Sequence, residues 1–373
     1  MNTDPGRDDR NPHDRNPHSR NENGRRREEA FRRSAESLTV LTVLGHTVLG
    51  FEQSCLAPVV GVLTGVTAEF ALETVEAWSR RRRPRYLGVS RARVAAFFLP
   101  SYVCGLLCAM LLYGNGHLTP VALAVLVGVG GTYVFRVAAP QAPQAPQTPA
   151  PQAPRVPRAR ETPETVRRGR VAEDAPGRPF LNPAAFGVVA VPLLVPWAGL
   201  APAYQFTAWV SGPLDLAVPL AVLAWGTAVN ARLAGRLPLV LGWAGGFVLQ
   251  ALVRGGLTDM STVGALLPMT GTAFALYTGY VLADPAASPA RPRDQVAFGL
   301  ATAAAYGLLV QLHVVDGLFL ALVVVGAGRG LRAALRTRLR PPGAGRPVPY
   351  GELSRYRDRP VRAPAASPPA GPP

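Results

Sequence analysis

The sequence has few cysteines and no lysine, and it lacks most motifs of soluble enzymes. Three cysteines, Cys55, Cys104 and Cys108, are too few for a disulfide framework. Cys104 and Cys108 share one helix face, but no histidine or further cysteine stands at ligand spacing, so both are expected to be packing residues. Neither a Walker-type loop nor a glycine-rich dinucleotide motif occurs. No nucleophile–base pair supports a hydrolase, so no catalytic or metal-binding residue is predicted.

The positive charge is carried by arginine alone. The chain has 39 basic and 23 acidic residues, a net charge of +16, and 48% apolar residues. The basic runs at 25–27 and 80–83 have no interleaved aromatics and belong to no nucleic-acid-binding module, so no nucleic acid is expected as a partner. Anionic lipid headgroups are the expected partner of this charge, and other membrane or biosynthetic proteins are further candidates.

Ten apolar runs with few charges approach the length that a helix needs to cross about 30 Å of hydrocarbon. They lie at 37–51, 55–75, 94–113, 119–136, 184–202, 213–230, 237–253, 262–283, 296–312 and 315–328. The first and last are short and would need tilt or local thinning of the bilayer. The predicted fold class is therefore an all-α polytopic membrane protein with about ten transmembrane helices, in two five-helix halves.

The arginines also predict the topology. With the N-terminus inside, 38 of the 39 arginines lie on the inner side, and Arg254 alone lies on an outer loop. Arginines in short loops are retained on the cytoplasmic side. The sequence therefore predicts a multi-pass protein of the cell membrane with both termini cytoplasmic.

Polar segments flank and divide the membrane part. The cytoplasmic tails, 1–36 and 331–373, are predicted to be disordered, and the first has no signal-peptide core. The cytoplasmic linker 137–180 is rich in proline and arginine and contains PQAPQAPQTPAPQAP, which a packed helix could not tolerate. It separates helices one to four, within 37–136, from helices five to ten, within 181–330.

Ionisable side chains within the apolar runs need an explanation, because each costs about 2.5–3.5 kcal/mol at mid-membrane. Glu69 is a candidate for a proton or ion relay, and a purely structural role is the alternative. Glu73 and Glu76 are expected to pair with the arginines that follow them at 80–83. His46 either joins the polar residues of the next outer turn in a relay site or bonds to a neighbouring backbone carbonyl.

Glycine and proline mark packing and a break. Glycines four apart in GVLTG (61–65) and GWAGG (242–246) predict close helix packing. In LLPMTGTAF, Pro268 removes a backbone donor and Gly271 weakens the helix. Irregular backbone at this depth often faces a bound solute or cofactor, and a simple kink is the alternative. Thr270 is a candidate ligand-binding residue at this break.

The fifth run begins with GRPFLNPAAFGVVAVPLLVPW, residues 177–197. Asn182 is expected to cap the helix, with Pro183 at its first position. The small residues that follow let another helix or a flat ligand approach, and free N–H groups at a helix start favour an anion. A capped and tightly packed helix is the alternative.

These stretches resemble a known family. FLNPAAFG is similar to the Phe-Asn-Pro-Ala segment of the D subunit of the Rnf complex and the B subunit of the sodium-translocating NADH:quinone reductase. YVLADPAASPARPRDQVAFG, at 280–299, resembles their Thr-Asp-Pro-Val-Thr-Ser-Pro segment, and TAEFALE, at 67–73, resembles their Ala-Glu segment. That family has ten membrane helices, so the resemblance implies the same scaffold.

One branch is closer still. LTVLGHTVLGFEQS, RPFLNPAAFGVVAV, GRLPLVLGWAGGFVLQALVR and LLPMTGTAFALYTGYVLADPA resemble membrane proteins encoded beside enediyne polyketide synthases in actinobacteria. The resemblance implies a part in enediyne biosynthesis. Three roles follow from it: a redox accessory that binds a flavin or quinone, a transporter of a small solute or of the product, and a membrane anchor for biosynthetic enzymes.

The sequence departs from the family at its flavin attachment point. Electron-carrying relatives bind FMN covalently through the threonine of Ser-Gly-Ala-Thr. Here the corresponding stretch is WVSGPLDL, in which Pro213 and Leu214 replace the Ala-Thr pair. Covalent FMN is therefore not expected, and a non-covalent flavin or quinone is the cofactor to test. The candidate cofactor-binding residues are Asn182, Pro183, Ser211, Gly212, Thr270 and Asp284.

Overall fold

A computed structural model describes residues 17–137, 177–202, 204–205, 207, 211–232, 235–257, 261–284, 286–314 and 316–339. Within these ranges the chain is mostly helical, as predicted, with eleven α-helices. They are α1 Pro17–Thr47, α2 Leu56–Ser79, α3 Arg91–Leu111, α4 Thr119–Val134, α5 Pro183–Leu194, α6 Leu214–Gly226, α7 Leu237–Leu257, α8 Thr262–Leu266, α9 Thr272–Leu276, α10 Pro292–Gln311 and α11 Gly317–Arg338.

Shorter elements connect or extend these helices. A π-helical turn, Thr227–Arg232, continues α6, a 3₁₀ turn, Leu267–Thr270, follows α8, and a second π-helical turn, Tyr277–Val281, follows α9. Two antiparallel strand pairs tie loops together. The strands are β1 Leu112–Tyr113 with β4 Gly199–Leu200, and β2 Arg136–Val137 with β3 Arg178–Pro179.

Four helices are long and apolar enough to cross a membrane, namely Leu56–Ser79, Arg91–Leu111, Leu237–Gly256 and Gly317–Arg336. Three shorter apolar helices are Thr119–Val134, Pro183–Leu194 and Leu214–Val229. These helices fit a membrane-embedded protein. Each of the ten predicted runs contains helix, but the number of crossings and the orientation of the termini stay predictions.

The helix ends differ from the sequence-based boundaries. α1 begins at Pro17, within the expected tail 1–36, and α11 continues to Arg338, past the predicted start of the other tail. α5 ends at Leu194, well before residue 202, because Pro196 disfavours helical backbone at the residue before it. Residues 1–16, 138–176 and 340–373, with the proline-rich part of the linker, lie outside the described residues, as do the predictions of disorder for them.

Two compact units divide the chain, at 1–331 and 332–373. The first contains the hydrophobic core. Of the second, the end of α11 and Leu339 are described. The functional candidates that follow all belong to the first unit.

Glycines set the closest helix contacts in the core. A Cβ on Gly105 of α3 would lie 2.5 Å from the carbonyl oxygen of Gly61 in α2, so these backbones touch directly. In α7, a Cβ on Gly242 would lie 2.8 Å from the Val296 carbonyl oxygen of α10, and one on Gly246 would lie 2.8 Å from the Ala303 Cβ. Both glycine patterns therefore mark helix packing, as predicted.

Candidate functional site

The side chain of Asn182 joins the start of α5 to the segment after the second π-helical turn. Its Oδ1 accepts a hydrogen bond from the Ala185 N–H at 2.9 Å, which confirms the predicted helix cap. Its Nδ2 donates to the Val281 carbonyl and to Oδ2 of Asp284, both at 3.0 Å. Asn182 is buried, so these bonds hold two distant parts of the chain in one place. We call this contact the Asn182–Asp284 junction.

Asp284 is held in place by its own turn. Its Oδ1 accepts a hydrogen bond from the Ala286 N–H at 2.8 Å, in the manner of an Asx turn. The Ser288 hydroxyl donates to the Asp284 carbonyl at 2.6 Å. The bonds from Ala286 and Ser288 therefore hold Asp284 with its carboxylate at Asn182.

α4 packs against the small residues at the start of α5. A Cβ on Gly187 would collide with the Ala124 carbonyl, and one on Gly128 would collide with the Pro183 carbonyl. The same Gly128 position lies 3.4 Å from the buried Cys104 Sγ, so this thiol also packs beside the helix start. The small residues of NPAAFG are therefore explained by helix packing along this face.

A recess opens beside the junction on its other side. Its mostly apolar lining includes Phe180, Asn182, Ala287, Ser288, Phe298 and Leu322. Its cavity volume is about 10 Å³, which is room for about one water molecule. The recess is therefore a small gap in the packing, and a larger ligand could enter it only if its walls moved apart.

The predicted break of the eighth run is confirmed. α8 passes into the 3₁₀ turn that contains Pro268, and Gly271 is extended, with φ −82° and ψ 151°, before α9 begins. Thr270 donates to the Leu267 carbonyl at 2.8 Å, so its hydroxyl satisfies the turn itself. The break is more than a proline kink, because the helix stops and restarts.

Aromatic side chains pack around the helix that restarts after this break. The cluster consists of Trp243, Phe247, Phe274, Tyr277, Tyr306 and Phe319, with ring centroids 4.9 to 6.1 Å apart. Trp243 Nε1 donates to the Thr278 hydroxyl at 3.0 Å. The irregular backbone from α9 through the second π-helical turn is thus buried in protein, which is where such backbone is tolerated in a membrane.

Ser211 and Gly212 lie elsewhere. Both are exposed, just before α6, and Gly212 has φ +72°, a conformation that glycine adopts without strain. Within the described residues, Ser211, Gly212 and Thr270 form no hydrogen bond with Asn182. The structure therefore brings together three of the six cofactor candidates, Asn182, Pro183 and Asp284.

A network of ion pairs holds the end of α2. Glu73 is fully buried. Its carboxylate accepts hydrogen bonds from Arg82 Nη1 at 2.5 Å and from the Arg85 N–H at 3.0 Å. It also forms an ion pair with Arg85 Nη2 at 2.8 Å. Glu76 pairs with Arg136 at 2.9 Å and with Arg80 at 3.2 Å. The bond to Glu73 raises the pKa of Arg82.

The pairing predicted for Glu73 and Glu76 is therefore confirmed, and it is wider than predicted. Arg136 was not anticipated as a partner of Glu76, because it lies 60 residues away at the end of α4. Such a contact depends on how α2 and α4 pack, which helix periodicity does not reveal.

Glu69 has a different environment from its two neighbours on α2. Its Oε1 accepts a hydrogen bond from the Tyr133 hydroxyl at 2.7 Å, and the Arg136 guanidinium lies 4.2 Å from the centre of the Tyr133 ring. No arginine of the described residues lies within ion-pair distance of Glu69. It therefore stays a relay candidate, with Tyr133 as a partner that sequence reasoning missed.

His46 bonds to backbone. Its Nδ1 lies 2.8 Å from the Thr42 carbonyl oxygen, and its ring packs edge-on against Phe51. The nearby Gln53 donates to the Leu112 carbonyl at 2.7 Å, and Glu52 is exposed. His46 therefore has the backbone-bonded arrangement. Among the described residues no polar side chain bonds to its ring, so the relay role of His46 gains no support.

The chain matches no protein-family model, and no curated protein matches it in sequence. The family resemblance therefore depends on the stretches quoted above. The functional conclusions drawn from it are proposals, and the geometry of the junction is what this structure adds to them.

Proposed function

We propose that the chain is an integral membrane protein of enediyne biosynthesis that holds one end of a flavin or quinone, non-covalently, beside the Asn182–Asp284 junction. The observation that carries this proposal is the direct contact between the two stretches that most specifically resemble the flavin-carrying subunits, FLNPAAFG and ADPAAS. In this proposal the scaffold has ten transmembrane helices in two five-helix halves, with both termini cytoplasmic.

The residues of the recess suit the apolar ring of such a cofactor. Phe180 and Phe298 offer aromatic surface and Leu322 offers aliphatic surface, and these walls would have to separate for a ring to enter. A bound flavin or quinone would supply acceptance and release of electrons. The chain's own part is to position that group and to keep water from it, and no covalent bond is expected, because Pro213 and Leu214 offer no hydroxyl.

The absorption spectrum of the detergent-purified protein tests this proposal. We expect colour that passes into the supernatant after acid precipitation. Asn182→Ala and Asp284→Asn should lower the amount of cofactor retained, since both disturb the turn that lines the recess. Gln311→Ala is the matched control, because Gln311 is an exposed amide at the end of α10. A colourless wild type would contradict the proposal, and colour retained in the pellet would contradict its non-covalent part.

Transport is the second candidate function, and the broken helix favours it. The restart at Gly271 resembles the discontinuous helices at which transporters bind their substrates. Export of a small solute or of the enediyne product would use this break. In a deletion strain, product that is made normally but trapped in the cell would support export. Accumulated intermediates would support the redox role, and restoration by a soluble form of the partner enzymes would indicate a membrane anchor.

A further inference from the structure

Arg329 is a partly buried cation in α11 for which the described residues provide no counter-charge. Its Nη2 donates to the Ala287 carbonyl, and its guanidinium carbon lies 5.3 Å from the centre of the Phe298 ring. The described ion pairs involve other arginines. Arg329 is also one of the 38 arginines that predict the topology.

An unmatched guanidinium in this position is costly. Arginine carries five N–H donors and does not lose its charge, so it cannot adapt by becoming neutral. A carbonyl and an aromatic ring satisfy part of its hydrogen-bonding capacity but add no negative charge. Charges within membrane helices pair with one another or with backbone carbonyls. Arg329 has a carbonyl partner but no carboxylate among the described residues, so it keeps N–H donors for an anion.

The recess beside the junction leads to this arginine. Ala287 and Phe298, the two residues that Arg329 contacts, both line the recess, and so does Gly326, which lies three residues earlier on α11. The Ser288 hydroxyl already donates to the Asp284 carbonyl. Arg329 is therefore the cationic donor at the edge of a mostly apolar space.

The helix that carries Arg329 borders the surroundings of the protein. Only 28% of the membrane-length window of α11 is buried. Apolar residues precede Arg329, and three further arginines follow it by residue 338, so it stands where the hydrocarbon region would give way to headgroups. Basic pockets between membrane helices at this level bind acidic lipid headgroups.

We propose that Arg329 binds the phosphate of an acidic phospholipid, whose acyl chains stay in the bilayer beside α11. A lipid suits the site, since it brings an anion at the level of the headgroups and is supplied from the bilayer. Inorganic phosphate has no apolar part to hold it there. This site is independent of the proposed redox function.

The test measures lipid retained by the full chain in detergent, by native mass spectrometry, together with thermal unfolding after delipidation. Phosphatidylglycerol should be retained and should raise the unfolding temperature, whereas phosphatidylcholine and inorganic phosphate should do neither. Arg329→Gln should weaken retention of phosphatidylglycerol by about tenfold or more, since a charge-assisted bond is lost. Arg329→Lys, which keeps the charge, should retain more lipid than the glutamine variant.

Arg293→Gln is the matched control, because Arg293 is exposed at the start of α10 and its loss changes the net charge equally. Equal lipid retention by the two glutamine variants would overturn the proposal. Displacement of the lipid by FMN, or stabilisation by inorganic phosphate alone, would overturn it too and assign Arg329 to another phosphate. If Arg329→Gln does not fold, the comparison of Arg329→Lys with wild type decides. The colour lost on Asn182→Ala is a separate readout, so failure here leaves the redox proposal intact.

Discussion

The Asn182–Asp284 junction predicts a graded series of substitutions, because the two ends of one amide have separate partners. Asn182→Ser keeps an oxygen that can accept from the Ala185 N–H but loses the donor to Val281 and Asp284. Buried acceptors left without a donor cost about 1–3 kcal/mol. Asn182→Ala also removes the helix cap, which is worth about 1 kcal/mol. We therefore expect losses of about 1–3 kcal/mol for serine and about 2–4 kcal/mol for alanine.

Asn182→Asp is the sharpest member of the series. It preserves the shape and the cap but replaces the donor by a carboxylate that faces Asp284 at hydrogen-bond distance. Two like charges at this distance in a buried site should destabilise the protein more than Asn182→Ser does. Adding Asp284→Asn should recover stability, because an amide then stands on the other side of the pair. We expect a coupling between the two sites of about 0.5–3 kcal/mol.

Thermal unfolding in detergent, followed by the fluorescence of the five tryptophans, measures these effects. Gln311→Ala serves again as the control and should change stability little, because Gln311 is exposed at the end of a helix. The reasoning is refuted if Asn182→Asp is not rescued by Asp284→Asn, since the side chains would then not be in contact. Equal stability of Asn182→Ser and wild type would show that the donor bonds contribute nothing.

The remaining predictions concern the rest of the fold. Glu73→Gln should cost about 1–3 kcal/mol, because Arg82 and Arg85 lose their closest carboxylate but keep Glu76 at 3.5 Å. Glu36→Gln, in an exposed pair, should cost less than about 0.5 kcal/mol. Gly105→Ala should lower the unfolding temperature, because its Cβ would meet α2. Gly130→Ala, in open space, should leave the unfolding temperature unchanged or raise it. A larger loss for Gly130→Ala than for Gly105→Ala would contradict the contact.

Features decided by neighbouring residues were predicted correctly. Asn182 before Pro183 was recognised as a cap because capping involves residues three apart. Pro268 and Gly271 were recognised as a break because both act on the backbone at their own positions. The pairing of Glu73 with the arginines that follow it could be predicted for the same reason.

Contacts between distant segments were not predictable in this way. The partners of Glu69 and Glu76 on α4, Tyr133 and Arg136, lie 64 and 60 residues away from them. Ser211 and Gly212 were grouped with Asn182 through the family resemblance and Thr270 through the helix break, and the described structure places all three outside the junction. Helix periodicity shows which face is apolar, but it does not show which other helix covers that face.

The sequence by itself determined that the chain is helical and rich in membrane-length apolar segments, since hydropathy and charge act over single helices. It also determined where α5 begins. Only the tertiary structure decided that Asn182 meets Asp284 across 102 residues, and that Arg329 stands beside the same recess. The physical reason is that a buried amide or guanidinium must bond to the groups that helix packing brings within about 3 Å of it. Which groups these are depends on how the helices assemble.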